Sequence, residues 1–206
     1  EMQRKMRDCG DNEIEREYWD KRQLVKKINL NSLYGAILNP GCRFFDMRIG
    51  QSVTLSGRCI TKHMASKVNE IVAGKYDHKG ESVVYGDTDS VYFSAYKTLE
   101  KEIKDGLIPW TKDSILGLYD KISDEVNTSF KAFMTKAFHT PATRGEVIAA
   151  GRELVASKGL FITKKRYALL YYDKEGKRTD VDGKEGKMKA MGLDLKRSDT
   201  PVFVQD

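Results

Sequence analysis

The sequence predicts an α+β fold, a mainly antiparallel sheet with helices packed on one face. Three observations predict it. Residues 20–38, 49–72 and 112–138 read as helices, with breakers at their ends. Short β-branched and aromatic runs flank a turn-forming segment at 82–94, the pattern of a hairpin. After Pro141 the pattern changes to strands, at 147–150, 160–163 and 167–172.

In chain order, the first twenty residues are highly charged and lack an apolar stripe, which reads as a helical or frayed lead-in. Leu24, Ile28 and the later Leu and Ile residues support the first helix, and Asn39-Pro40-Gly41 ends it. Lys27, Asn31 and Tyr34 stand at i, i+4 and i+7 and so share a face, placing a cation, an amide and an aromatic ring on one surface. A short extended piece at 43–45 leads into the second helix. Gly74 breaks that helix, and Asp77-His78-Lys79-Gly80 makes the turn before the hairpin. In the third helix Leu116, Ile122, Val126 and Phe130 are spaced for burial. The glycine- and charge-rich stretch 174–186 is a loop or exposed hairpin, and no internal repeat or low-complexity tract is present.

The 206 residues suffice for one good core, or one domain with attached pieces. With 40% hydrophobic and 32% charged residues the composition is that of a soluble globular protein, and the expected setting is cytoplasmic. No run approaches the ~18 apolar residues of a membrane span. Cys9, Cys42 and Cys59 show neither zinc spacing nor an even count and read as reduced thiols. His63, His78 and His139 sit in no metal spacing. The net charge of +6 is unevenly spread: residues 21–80 carry 11 Lys/Arg against 3 Asp/Glu, residues 81–130 carry 5 against 10, and residues 151–206 carry 13 against 9. Such separation suits a chain that holds a polyanion on some surfaces and cations on another, although a solvated surface can show the same pattern.

The segment Tyr85-Gly86-Asp87-Thr88-Asp89-Ser90 lies between Val83-Val84-Tyr85 and Val91-Tyr92-Phe93, which puts two carboxylates at a hairpin tip. Along an extended chain Asp87 and Asp89 point the same way. Adjacent carboxylates repel unless a cation neutralises them, and Mg²⁺ favours carboxylates together with substrate phosphate oxygens. A bare Asp-x-Asp is also an ordinary turn; the hexapeptide with its flanks favours a Mg²⁺ site for phosphoryl chemistry.

Tyr85-Gly86-Asp87-Thr88-Asp89-Ser90 resembles the C motif in the palm of family B DNA polymerases. Lys27-Ile28-Asn29-Leu30-Asn31-Ser32-Leu33-Tyr34-Gly35 matches the family's B motif, Lys-x3-Asn-Ser-x-Tyr-Gly, in the fingers. Lys164-Lys165-Arg166-Tyr167 resembles the segment that grips the primer–template duplex. The three stand in the family's order and cover residues 21 to 201, with the greatest likeness to replicative members from T-even-like phages. The resemblance implies a polymerase palm at 41–190, the second fingers helix and its lead-in at 1–40, and the start of the thumb at 191–206.

It further implies nucleotide addition by two-metal phosphoryl transfer, with ions about 4 Å apart stabilising the attacking and leaving oxygens. Asp89 is then a principal metal-binding carboxylate with Asp87 beside it, both catalytic, and Glu153 resembles a further acidic palm residue. The ions would be Mg²⁺, with Mn²⁺ as a substitute. Lys27 and Asn31 would contact the triphosphate, while Tyr34 and Gly35 lie beneath the nascent base pair. Lys164, Lys165, Arg166 and Tyr167 would hold primer–template DNA, with Lys165 and Tyr167 near the primer terminus and Arg166 on a phosphate, a kind of contact that carries no sequence information. For Glu153 a surface salt bridge, and for the basic tetrapeptide a charged strand edge, are the plain alternatives.

The family's upstream Asp-x2-Ser-Leu-Tyr-Pro-Ser motif is not in this sequence. The chain is therefore expected to be a C-terminal palm and fingers fragment, inactive alone. Its expected partners are primer–template DNA, dNTPs and the N-terminal polymerase half on the same or a separate chain. A sliding clamp and a single-strand-binding protein follow from the resemblance, and no membrane is involved. The alternative is a non-catalytic DNA-binding or assembly piece that acts only with a partner chain.

Overall fold

The computed structural model describes residues 4–5, 8–10, 12–181 and 183–193. The chain divides into two compact units, Glu1–Gly57 and Arg58–Asp206.

In the first unit, helix α1 (Glu13–Ile37) starts seven residues before the expected position. The Asn12 side chain caps it by accepting the Glu15 N–H at 3.2 Å, and Glu13 and Glu15 complement the positive end of the helix dipole. Polar pairs one turn apart carry the early start: Lys21 with Glu17 at 2.6 Å, and Arg22 donating to the Tyr18 hydroxyl at 2.7 Å. No α1 residue is buried within the chain, so its apolar residues add little to its stability here. The expected extended piece at 43–45 is instead a pair of tight turns. Cys42 N–H donates to the Asn39 carbonyl at 2.9 Å and Phe45 N–H to the Cys42 carbonyl at 3.1 Å, which curls the backbone. Helix α2 (Met47–Ala73) follows, with Asp46 accepting the Arg48 N–H at 2.9 Å at its start. Gly50 is buried against Leu38, where a Cβ would collide with the leucine side chain.

In the second unit, β1 (Val83–Asp87) and β2 (Ser90–Phe93) form the antiparallel hairpin. After the short α3 (Glu100–Lys104) comes α4 (Lys112–Phe138), capped by Thr111 and ended by His139 in the left-handed conformation. Ile122, Val126 and Phe130 of α4 meet Val68 of α2 in the core, each 4% exposed or less. Val83 and Phe93 press on the same cluster, so the core fixes the base of the hairpin. Full burial of such a side chain stabilises by about 1.5–3 kcal/mol.

After α5 (Ala142–Gly145), the expected strand at 147–150 is absent. Asn127 of α4 accepts the Ala150 N–H at 2.7 Å and donates to the Ala150 carbonyl at 2.9 Å, and Ser123 donates to the same carbonyl at 3.1 Å. Helix side chains thus satisfy the backbone that a ladder would have used. The expected strands at 160–163 and 167–172 are parts of longer ones, β3 (Leu154–Thr163) and β4 (Arg166–Lys174). Within 174–186 the exposed-hairpin reading holds, with a turn at Glu175-Gly176 and the short β5 (Lys177–Arg178). β6 (Lys187–Met191), not foreseen, pairs with β4 from Tyr167↔Met191 to Tyr171↔Lys187. β4 therefore lies between β3 and β6 in a wholly antiparallel four-stranded sheet.

The fold class is α+β as expected, with the strands divided between this sheet and the separate hairpin. Residues 194–206, which hold most of the expected start of the thumb, lie outside the described residues, as do 1–3, 6–7 and 11 of the lead-in.

Candidate functional site

Asp87 ends β1, Ser90 begins β2 opposite it, and Thr88-Asp89 is the two-residue turn between them. Thr88 has φ 42°, a left-handed conformation that β-branched residues rarely adopt. Several polar contacts hold this turn. The Thr88 hydroxyl donates to Asp87 Oδ1 at 3.1 Å, and the Ser90 hydroxyl donates to the Asp87 carbonyl at 3.2 Å. From α2, the Thr61 hydroxyl donates to the Thr88 carbonyl at 2.8 Å. The left-handed Thr88 replaces with a turn the extended backbone on which Asp87 and Asp89 were expected to point the same way. Asp87 is half-buried and hydrogen-bonded, whereas Asp89 is exposed at the tip.

Both groups are hard oxygen donors of the kind that a small divalent cation takes. Among the described residues, no group of three or more His, Cys, Asp or Glu side chains is arranged to hold a metal ion. Asp87 and Asp89 therefore fit part of a coordination shell, with the remaining positions left to substrate, water or other groups. Glu153, just before β3, is ion-paired with Lys189 of β6 at 2.8 Å, the salt bridge foreseen as its plain alternative.

Lys164 and Lys165 of the basic tetrapeptide form the turn between β3 and β4, and Arg166 and Tyr167 begin β4. Lys164, Lys165 and Arg166 have exposed side chains, while Tyr167 is 6% exposed and points into the unit. Lys165 is left-handed at φ 61°, and its N–H donates to the Tyr85 hydroxyl at 2.8 Å. The Tyr92 and Tyr167 hydroxyls are hydrogen-bonded at 3.1 Å. Tyr85, Tyr92, Phe161 and Tyr167 form one aromatic cluster with ring centroids 5.4–5.7 Å apart. Burial, then the bond to Tyr167, pushes the Tyr92 phenol well above its ordinary pKa. On its other side the Lys165 carbonyl abuts Gly192, where a Cβ would collide with it, and Arg166 Nε donates to the Gly192 carbonyl at 3.1 Å. The cations of the turn are thus mounted on a backbone fixed from two directions.

The second unit therefore brings together the carboxylate hairpin and the basic turn, 75–80 residues apart in sequence. Lys27, Asn31, Tyr34 and Gly35 belong to the first unit and share α1. Lys27, Asn31 and Gly35 are exposed; the Tyr34 hydroxyl donates to the Gly50 carbonyl at 3.1 Å, and a Cβ on Gly35 would meet nothing within 4 Å. Sequence reasoning did not single out Tyr85 and Tyr92 as the link between the motifs, nor Phe161, Thr61 and Gly192 as supports. The alternation of Tyr and Phe around both motifs was the available signal for the cluster; no local pattern marks Thr61 or Gly192.

The model of a family described as DNA polymerase family B matches residues 1–107. The DNA-directed DNA polymerase of Escherichia phage RB69 is 33% identical over 194 residues, covering 89% of this chain and 21% of that protein. That of Enterobacteria phage T4 is 32% identical over 196 residues, with the same coverage of 89% and 21%. The DNA polymerase delta catalytic subunit of Candida albicans is 30% identical over 187 residues, covering 90% of this chain and 15% of that protein. The chain spans about a fifth of the length of its phage relatives.

Proposed function

The chain belongs to the family B DNA polymerases, and from that premise we propose that it supplies the carboxylate hairpin and duplex-gripping turn of a DNA-directed DNA polymerase. The observation that carries this reading is the 2.8 Å hydrogen bond from Lys165 N–H to the Tyr85 hydroxyl, which ties the acidic and basic motifs into one surface. Residues 1–40 serve in this reading as the second fingers helix, 41–190 as the palm, and 191–206 as the start of the thumb.

Each group has a chemical task. Asp89, with Asp87 beside it, holds divalent cations, taken to be two Mg²⁺ ions that Mn²⁺ can replace. Ions held there would supply neutralisation of the charge on the attacking and leaving oxygens of phosphoryl transfer. Lys27 offers a point charge, and Asn31 an amide donor, to the triphosphate of a dNTP. Tyr34 presents a ring and Gly35 a face without a side chain beneath the nascent base pair. Lys164, Lys165 and Arg166 contact DNA phosphates, with Lys165 and Tyr167 near the primer terminus. Glu153 serves the acidic site once released from Lys189. The partners are primer–template DNA, dNTPs and the upstream polymerase half, with a sliding clamp and a single-strand-binding protein in the host cytoplasm.

Primer extension with Mg²⁺ and four dNTPs tests the reading, comparing the 206-residue chain alone with a mixture containing a polypeptide that bears Asp-x2-Ser-Leu-Tyr-Pro-Ser. Extension confined to the mixture and lost in Asp89→Ala is expected. Robust extension by the chain alone would refute the split site. Duplex binding without extension in either arm would favour the other reading, a non-catalytic DNA-binding piece.

A further inference from the structure

We propose that Thr61 is a positioning residue that sets the carboxylate turn, and that α2 is the mount on which the whole hairpin is registered. The proposal rests on the polymerase reading for its catalytic consequence but not for its structural one.

The turn needs such a support. Thr88 separates the two carboxylates, and its φ of 42° is unfavourable for a β-branched residue. Conformations of this kind persist only where the surroundings hold them. The carbonyl of the same residue accepts the Thr61 hydroxyl at 2.8 Å across 27 residues of sequence. The contacts from Thr88 and Ser90 to Asp87 lie within the hexapeptide and move with it, while the Tyr85 hydroxyl, held by the Lys165 N–H, reaches Asp87 Oδ2 at 3.5 Å on the β1 side and does not touch the Thr88-Asp89 peptide. Thr61 instead refers the turn to a 27-residue helix whose later part lies against the core.

The same helix holds the hairpin's other end. Asn69, 1% exposed, accepts the Ser82 N–H at 3.1 Å and donates to the Asp77 carbonyl at 2.7 Å. Ser82 directly precedes β1, and its carbonyl accepts the Ser94 N–H at 2.8 Å, closing the hairpin base. Thr61 and Asn69 lie about 12 Å apart along α2 at a rise of about 1.5 Å per residue. One rigid element thus fixes both base and tip, so the peptide carrying Asp87 and Asp89 has one position rather than a range. Catalysis by charge placement is sensitive to that position, because misplacement of the reacting geometry by about 1 Å costs about a hundredfold.

The test uses Thr61→Val, which removes the hydroxyl and keeps the β-branched shape, and Thr61→Ser, which restores the hydroxyl. Amide hydrogen exchange is read in the 206-residue chain, and kcat and KM in the extending mixture defined above. Thr61→Val is expected to speed exchange at Asp89 and Ser90 about fivefold, the equivalent of one hydrogen bond of about 1 kcal/mol. Exchange in β4 stays unchanged, kcat falls at least tenfold at constant KM for DNA, and Thr61→Ser returns both towards wild type. Unchanged tip exchange, or acceleration spread equally through β4, would overturn the proposal. So would tip-specific acceleration with normal kcat in a mixture that Asp89→Ala inactivates. If Asp89→Ala leaves extension intact, the polymerase reading fails while the exchange measurement still decides whether Thr61 sets the turn.

Discussion

Gly192 has φ 62° and the Lys165 carbonyl where its Cβ would lie, so Gly192→Ala combines left-handed strain with a collision. A loss of about 2–4 kcal/mol in denaturant unfolding is expected from those two effects together. Gly35 has the opposite surroundings: it sits within α1 and a Cβ there meets nothing within 4 Å. Gly35→Ala should stabilise α1 by about 0.5–1 kcal/mol, yet lower primer extension in the complete assembly if a base pair is to lie against it. An unchanged extension rate would remove Gly35 from the proposed nucleotide site. His63 is a third instructive residue. Ser129 donates its hydroxyl to the Val126 carbonyl at 2.6 Å, so its Oγ accepts from His63 Nε2 at 2.9 Å, and the Tyr76 hydroxyl donates to Nδ1 at 2.8 Å. Burial, then the nearby Lys67, lowers the His63 pKa, while Glu70 opposes the shift. The neutral ring is therefore the folded form, and the unfolded chain binds the proton more readily. His63 stabilises fully above pH ~6.5 and progressively less as pH falls below it. The decline in Tm between pH 7.5 and 5.5 should be smaller in His63→Gln than in wild type; an equal decline would show that the ring does not contribute.

Among elements, β4 does the most to organise the second unit. It pairs with β3 along its length, with β6 from Tyr167 to Tyr171 and with β5 at its end, and carries Tyr167 into the aromatic cluster. Tyr167→Phe keeps the ring and deletes the 3.1 Å hydroxyl contact with Tyr92, so a loss of about 1 kcal/mol is expected, measured by urea unfolding. At the far end of β4, Asp173 is 1% exposed and ion-paired with Arg152, which also reaches Asp120 of α4 at 2.5 Å. Arg152→Ala strands a buried carboxylate and should cost about 3–5 kcal/mol. Arg152→Ala combined with Asp173→Asn should recover part of that loss, because no charge is then left buried; a double variant no more stable than the single one would contradict the account. These ties also show why β6 escaped sequence reading. Lys187-Met188-Lys189-Ala190-Met191 has little β propensity of its own, and its strand form comes from hydrogen bonds to β4. The segment 147–150 is the reverse case, with strand-like residues whose last member, Ala150, has its backbone bonded to side chains of α4.

For the whole chain, the surplus of 11 basic over 3 acidic residues at 21–80 and of 13 over 9 at 151–206 predicts salt-sensitive duplex binding. Charge reversal at Lys165 and Arg166 should lower affinity and flatten the plot of log K against log salt by about 0.9 for each phosphate no longer neutralised. Asp87→Ala and Asp89→Ala should leave that slope intact; an equal loss in all four variants would show that the turn does not grip the duplex on its own account. By itself the sequence determined the α+β class, the three long helices and the carboxylate hairpin, because periodicity, caps and turn residues act over a few neighbours. It also held the three motifs that identify the family. Tertiary structure alone decided which strands exist after Pro141, that Thr88 rather than strand alternation orients Asp87 and Asp89, and that the Tyr85 hydroxyl meets the Lys165 backbone. The bonding of Ala150 and of Lys165 depends on partners 23 and 80 residues away, whose hydrogen bonds and packing override local propensity.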